Sequence, residues 1–127
     1  MKTDKVIKIM VVDDSTLMRK VIKDMLSVIP CSIIEYSNGR DAVDGYESAL
    51  PDWVLMDVMM KPMNGIAALS AIKKNHPEAR VIMVTNSVEE EISAASFKAG
   101  ATAFVRKEFL FQIPDLILEE NNKPITE

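Results

Sequence analysis

An open, doubly wound α/β sheet is the fold class this sequence predicts, on two observations. Apolar runs of strand length alternate with longer stretches of helical period, and three of the five runs are nearly all apolar, as strands covered on both faces of a parallel sheet are. A length of 127 residues suits a single domain with one sizeable core.

The first run, Ile7–Val12, is interrupted by Lys8 and followed directly by Asp13 and Asp14, so it reads as a strand and as neither a signal segment nor a membrane span. Residues 16–28 carry Leu17, Val21, Met25 and Val28 at spacings of three and four, which predicts an amphipathic helix. Residues 32–36 make a second strand and Gly39–Ala49 a second helix. Trp53–Asp57 is a third strand ending in a third aspartate, and Gly65–Asn75 is its crossover helix, with Pro77 beyond its end. Residues 80–85 make the fourth strand. Ser87 and Glu90 then form a capping-box pattern, and Glu89, Glu90 and Glu91 place negative charge where a helix dipole is positive. A fourth helix is expected over 88–99, stopped by Gly100. Residues 102–106 are the fifth strand.

The remaining segment is less regular. Proline is tolerated in a first helical turn but costs about 3 kcal/mol in a helix interior, so the last helix should begin near Pro114 or break there. Phe109, Leu110, Phe111 and Ile113 form an irregular apolar stretch that faces either the core or a partner. The core is expected over about 5–120, with 121–127 as a frayed polar tail.

The composition, 48% hydrophobic and 27% charged, is that of a soluble globular protein. A net charge of -4 with no basic cluster argues against nucleic acid as a partner, and no segment suits a membrane. A cytoplasmic location is expected. Cys31 stands alone, which excludes an internal disulfide and a cysteine-rich metal cage. His76, in an Asn-His-Pro turn, reads as a solvated loop residue, and the nine methionines read as packing.

Doubly wound sheets bind ligands outside the carboxyl ends of their strands, where strand order reverses. With five strands in the order 2-1-3-4-5, Asp13 and Asp14 end one strand at that point and Asp57 ends its neighbour, so the three carboxylates share a crevice. Thr85 and Lys107 join the same rim. Crowded carboxylates repel one another, and Mg²⁺ suits an all-oxygen site that keeps several waters. A phosphoryl group is the natural further ligand.

Val11-Val12-Asp13-Asp14-Ser15 with Arg19, Leu55-Met56-Asp57 with Met63-Asn64-Gly65, Val84-Thr85, and Phe104-Val105-Arg106-Lys107 together resemble the receiver domain of two-component response regulators, over nearly the whole chain. The resemblance implies a flavodoxin-like three-layer sandwich and a chemotaxis-like, stand-alone switch that assists its own phosphorylation and dephosphorylation, rather than an enzyme. It implies that Asp57 accepts phosphate from a histidine kinase. Mg²⁺ would be held by Asp14, Asp57 and the backbone carbonyl of Met59, and by Asp13 largely through water. Thr85 and Lys107 would engage the phosphoryl oxygens, and Phe104 would turn inward as Thr85 moves. The partner would be a downstream protein or a second copy, met through the face of helix four, strand five and helix five. The alternative is an interaction module that has lost phosphotransfer. A phosphatase of the haloacid dehalogenase type needs its first two aspartates spaced by one residue, whereas Asp13 and Asp14 are adjacent.

Three positions depart from the family pattern: Lys61 stands where proline is usual, Asn86 where a small residue is usual, and Glu108 where proline follows the lysine through a cis bond. A cis bond without proline costs roughly 3 kcal/mol, so a trans Lys107-Glu108 bond is expected.

Overall fold

The computed structural model describes residues 6–121, and the expected frayed tail lies outside them except for its first residue. Five parallel strands, β1 (Ile7–Val12), β2 (Cys31–Tyr36), β3 (Trp53–Asp57), β4 (Val81–Thr85) and β5 (Ala103–Arg106), lie in the order β2-β1-β3-β4-β5. Helices α1 (Thr16–Leu26), α2 (Gly39–Ala49), α3 (Gly65–Asn75), α4 (Glu90–Lys98) and α5 (Ile113–Asn121) cover both faces. Alternation along the strands divides the core. Ile7, Ile9 and Val11 of β1 pack with Ile22 and Leu26 of α1 and Ile113 and Ile117 of α5, while Met10 and Val12 pack with Ala42 and Tyr46 of α2 and Leu69 and Ile72 of α3. The flavodoxin-like, three-layer expectation is met.

Local chemistry starts the helices. Ser15, Asn38 and Asn64 precede α1, α2 and α3 in extended conformation, and their side chains accept from the N–H of Met18, Asp41 and Ala67. At α4 the capping-box expectation is corrected. The helix begins at Glu90 behind an uncapped Glu89, and the Ser87 hydroxyl instead accepts from Glu89 N–H, because the chain is still turning there. The stop is as expected: Gly100 has φ +107°, its N–H donates to the Phe97 carbonyl, and Ala101 N–H donates to that of Ser96.

The stripe that revealed α1 is not its core face. Leu17, Val21 and Val28 are exposed, Val28 lies past the helix end, and of the four Met25 alone packs against the core, beside the buried Ile22 and Leu26. Two apolar stripes run along this helix, and the sheet takes the second. His76 also corrects its expectation as a solvated residue. Its ring lies 4.8 Å from that of Tyr46, with Nε2 3.1 Å from Glu47 and Nδ1 3.5 Å from Glu78.

After β5 the chain makes a 3₁₀ segment, Lys107–Gln112, with Phe109 outside helical geometry, and α5 then carries Pro114 in its first turn. Leu110 and Ile113 enter the core while Phe111 stays exposed, so the irregular apolar stretch divides between core and surface. The cis peptide among the described residues is Lys61–Pro62, which agrees with the expected trans Lys107-Glu108 bond. None of the described helices is long and apolar enough to cross a membrane.

Gly65 is required by close approach, because a Cβ there would fall on the backbone carbonyl of Asp57. β3 is paired on both sides and cannot retreat. We expect Gly65→Ala to lower stability by about 3 kcal/mol in urea titration. Gly45→Ala, whose Cβ meets the rotatable tip of Tyr36, should lower it less. Equal effects would remove the argument from close approach.

Candidate functional site

β1 and β3 are neighbours in register, with Val12 opposite Met56, so the residues that follow β1 and end β3 open into one crevice. Ligand oxygens of Asp13, Asp14 and Asp57 lie within 4.8 Å of one another. Asp13 and Asp57 are buried and Asp14 is exposed. Lys107, at the start of the 3₁₀ segment, reaches back between them, its Nζ 3.3 Å from Asp13 Oδ2 and 3.5 Å from Asp57 Oδ1. Met59 N–H donates a long hydrogen bond, 3.4 Å, to Asp57 Oδ1.

Thr85 ends β4 one residue beyond the register partner of Asp57 and is fully buried. Its hydroxyl oxygen accepts from Ser87 N–H at 3.1 Å, which leaves its proton available to a new acceptor. Phe104 stands apart from the carboxylates, half-buried on β5 with its ring centroid 6.4 Å from that of Phe97. Met59 is exposed, and its side chain joins Met60, Ile66 and Ile92 around a cavity of about 340 Å³ beside Asp14.

The charge balance is the site's main property. Burial, then the neighbouring Asp13 carboxylate, pushes the Asp57 carboxyl up to about 6, and the Lys107 ammonium and the Met59 N–H oppose that rise. Asp13 Oδ2 is buried and accepts no hydrogen bond; its one close partner among the described residues is the Lys107 ammonium. Three carboxylates against one ammonium leave a deficit of positive charge. The donors are all oxygen, one of them an unsatisfied buried carboxylate, which fits a hard divalent cation.

Sequence reasoning passed over the supports. The Asp13-x-Ser15 spacing signals an Asx turn, and Ser15 N–H indeed donates to Asp13 Oδ1 at 2.9 Å. Arg19 stands out in the sequence only through the family pattern, yet its Nη1 donates to the Asp13 carbonyl at 2.6 Å. Glu35, which holds Arg19, carries no local signal because its place follows from strand pairing.

Residues 9–118 match the family model described as the response regulator receiver domain. The chain belongs to that family. This receiver is 37% identical to the chemotaxis protein CheY of Bacillus subtilis, over 93% of this chain and 97% of that one. Its structure resembles the response regulator domain of Thermotoga maritima CheB, with a TM-score of 0.80 and 33% identity over 94% of this chain and all of that one. It also resembles the CheX-CheY-BeF3-Mg complex of Borrelia burgdorferi, with a TM-score of 0.84 and 26% identity over 92% of this chain and 90% of that one. It is a two-component receiver of the chemotaxis type.

An acid whose folded pKa is raised binds more protons folded than unfolded between the two values. Stability therefore falls as pH rises from about 4 to about 6, and the penalty persists above. Without divalent cations at pH 7.5, Asp57→Asn should be more stable than wild type by about 1–2 kcal/mol in urea titration, after discounting for solvent screening. At pH 4 the difference should vanish, and saturating Mg²⁺ at pH 7.5 should narrow it by stabilising the wild type. A constant difference across pH would assign the effect to packing.

Proposed function

We propose that this receiver is a Mg²⁺-dependent phosphoacceptor in which Asp57 takes the phosphoryl group of a histidine kinase phosphohistidine. The observation that carries the reading is the convergence of Asp13, Asp14 and Asp57 within 4.8 Å with Lys107 between Asp13 and Asp57. Support also comes from the Borrelia burgdorferi CheY, whose complex contains beryllium fluoride and magnesium.

Asp13, Asp14, Asp57 and the Met59 carbonyl would hold the cation, which supplies positive charge to the incoming phosphoryl oxygens. The Asp57 carboxylate is the nucleophile. Its oxygen forms a bond to phosphorus as the phosphorus–nitrogen bond of phosphohistidine breaks, and the imidazole leaves with that electron pair. Lys107 is placed to exchange one carboxylate contact for a phosphoryl oxygen, and Thr85 to donate its hydroxyl proton to another.

The product is an acyl phosphate carrying about -1.5 to -2 charge. The Thr85 loop and the Lys107 segment follow that charge, and Phe104 on β5 moves inward with Thr85. The face of α4, β5 and α5 thereby changes, offering a downstream protein or a second copy a different surface. The site assists its own phosphorylation and dephosphorylation as a signalling switch, in the cytoplasm where kinase and receiver meet.

Incubation with Mg²⁺ and a small phosphodonor should add one phosphate to the intact mass, and Asp57→Asn or removal of Mg²⁺ should abolish the gain. No gain with any donor would favour an interaction module without phosphotransfer. The exposed Met59 thioether cannot orient a hydrolytic water as an amide can. Met59→Asn should therefore shorten the phospho-form lifetime about tenfold, as one hydrogen bond of about 1.4 kcal/mol in the transition state would. An unchanged lifetime would count against this role.

A further inference from the structure

The structure leaves Asp13 little freedom. Its N–H donates to the Tyr36 carbonyl at 3.1 Å, its Oδ1 accepts from Ser15 N–H at 2.9 Å, and its carbonyl accepts from Arg19 Nη1 at 2.6 Å. Oδ2 alone remains, facing Lys107. The first two bonds are made by neighbouring backbone and survive side-chain changes around them. The third depends on one guanidinium.

That guanidinium is itself clamped. Arg19 Nε donates to Glu35 Oε1 at 2.9 Å, and the other Glu35 oxygen accepts from Lys23 Nζ at 2.6 Å. Glu35 stands on β2 opposite Val11, two residues before Asp13. The hydrogen bond from Lys23 draws the Glu35 carboxyl below its ordinary range, burial opposes it, and Arg19 adds to the lowering. The Arg19 side chain is only 15% exposed, so its charge-assisted bonds are largely shielded from water. An arginine serving only to fasten α1 to β2 would need Glu35 and would have no use for the Asp13 carbonyl.

We propose that Arg19, clamped by Glu35, is a positioning residue for divalent-cation binding. By holding the Asp13 carbonyl it fixes the turn between β1 and α1, so that Asp13 Oδ2 and the adjacent Asp14 carboxylate are aimed before a cation arrives. The proposal rests on the reading of this site as a Mg²⁺ centre. Arg19 touches no reacting atom; it acts through Asp13, as outer-shell partners orient metal ligands. Losing it frees a peptide to rotate, while β1 stays paired on both sides and the fold persists.

Calorimetric titration with Mg²⁺, unfolding in EDTA and phosphorylation at saturating Mg²⁺ test this together. Arg19→Met, which keeps an apolar stem, should lose about tenfold in Mg²⁺ affinity yet phosphorylate within about threefold of wild type once Mg²⁺ saturates. Arg19→Lys can reach the carbonyl as a point charge without also holding Glu35, so it should recover part of the affinity. Glu35→Gln lies on an exposed strand position, keeps the fold out of question and should weaken Mg²⁺ binding about threefold. Wild-type affinity in Arg19→Met, with or without a lower urea midpoint, overturns the proposal; should that variant not fold, wild-type affinity in Glu35→Gln does so. A wild-type protein that takes up no Mg²⁺ overturns the reading of the site and this proposal with it.

Discussion

The Lys107 ammonium held between Asp13 and Asp57 is the contact on which the site's charge balance depends. Without it, two buried carboxylates would face each other with only an exposed third for company. Burial, and after it the Asp13 carboxylate, keep the Asp57 carboxyl pushed up to about 6, a rise that the one ammonium opposes without cancelling. The sheet enforces the crowding. β1 and β3 are adjacent because each is apolar on both faces and can be covered only inside a doubly wound sheet, so their acidic ends converge whether or not the acids repel.

The two signs of charge stand on supports of different stiffness. Asp13 and Asp57 extend from interior strands whose residues are almost all buried, whereas Lys107 begins a 3₁₀ segment containing the non-helical Phe109, and that segment leans on the core through Leu110. A change of charge at Asp57 therefore meets least resistance from the lysine side, and low-stability segments are the ones that move in switches. Under the proposed phosphotransfer Thr85 would add a second lever, since its hydroxyl ties the start of the β4–α4 loop through Ser87 N–H. Both levers bear on β5, which pairs with a single neighbour in the sheet.

Sequence patterns carried most of this fold because the strands are buried on both faces and the turn residues are chemically plain. Gly100 acts as a local signal does, through a left-handed stop that works without tertiary context. Where tertiary packing decides, the patterns were silent or misleading. α1 has two apolar stripes and nothing in its period says which the sheet takes; His76 sits in a turn whose surroundings come from Glu47, 29 residues earlier. The carboxylates and Lys107 were visible because each ends a recognisable run. The Arg19–Glu35 clamp was not, since it exists only through the pairing of β1 with β2.

The departures from the family pattern illustrate how a charged substitution beside an acid site can be neutralised locally. Glu108 directly follows Lys107 and could compete for its ammonium, adding a fourth carboxylate to an already acidic crevice. Arg106 prevents this: its Nη2 lies 2.8 Å from Glu108 Oε2, and the same guanidinium lies 5.3 Å from the centroid of the Phe109 ring. The pair occupies Glu108 on the outer surface and leaves Lys107 to Asp13 and Asp57. Lys61 and Asn86 are likewise exposed at the rim. Lys61 lies beside Asp14 at the cavity mouth, where a cation offsets rather than deepens the local negative charge. All three changes therefore fall on surface that approaching ligands meet first, and the buried carboxylates behind them keep the arrangement that β1 and β3 impose.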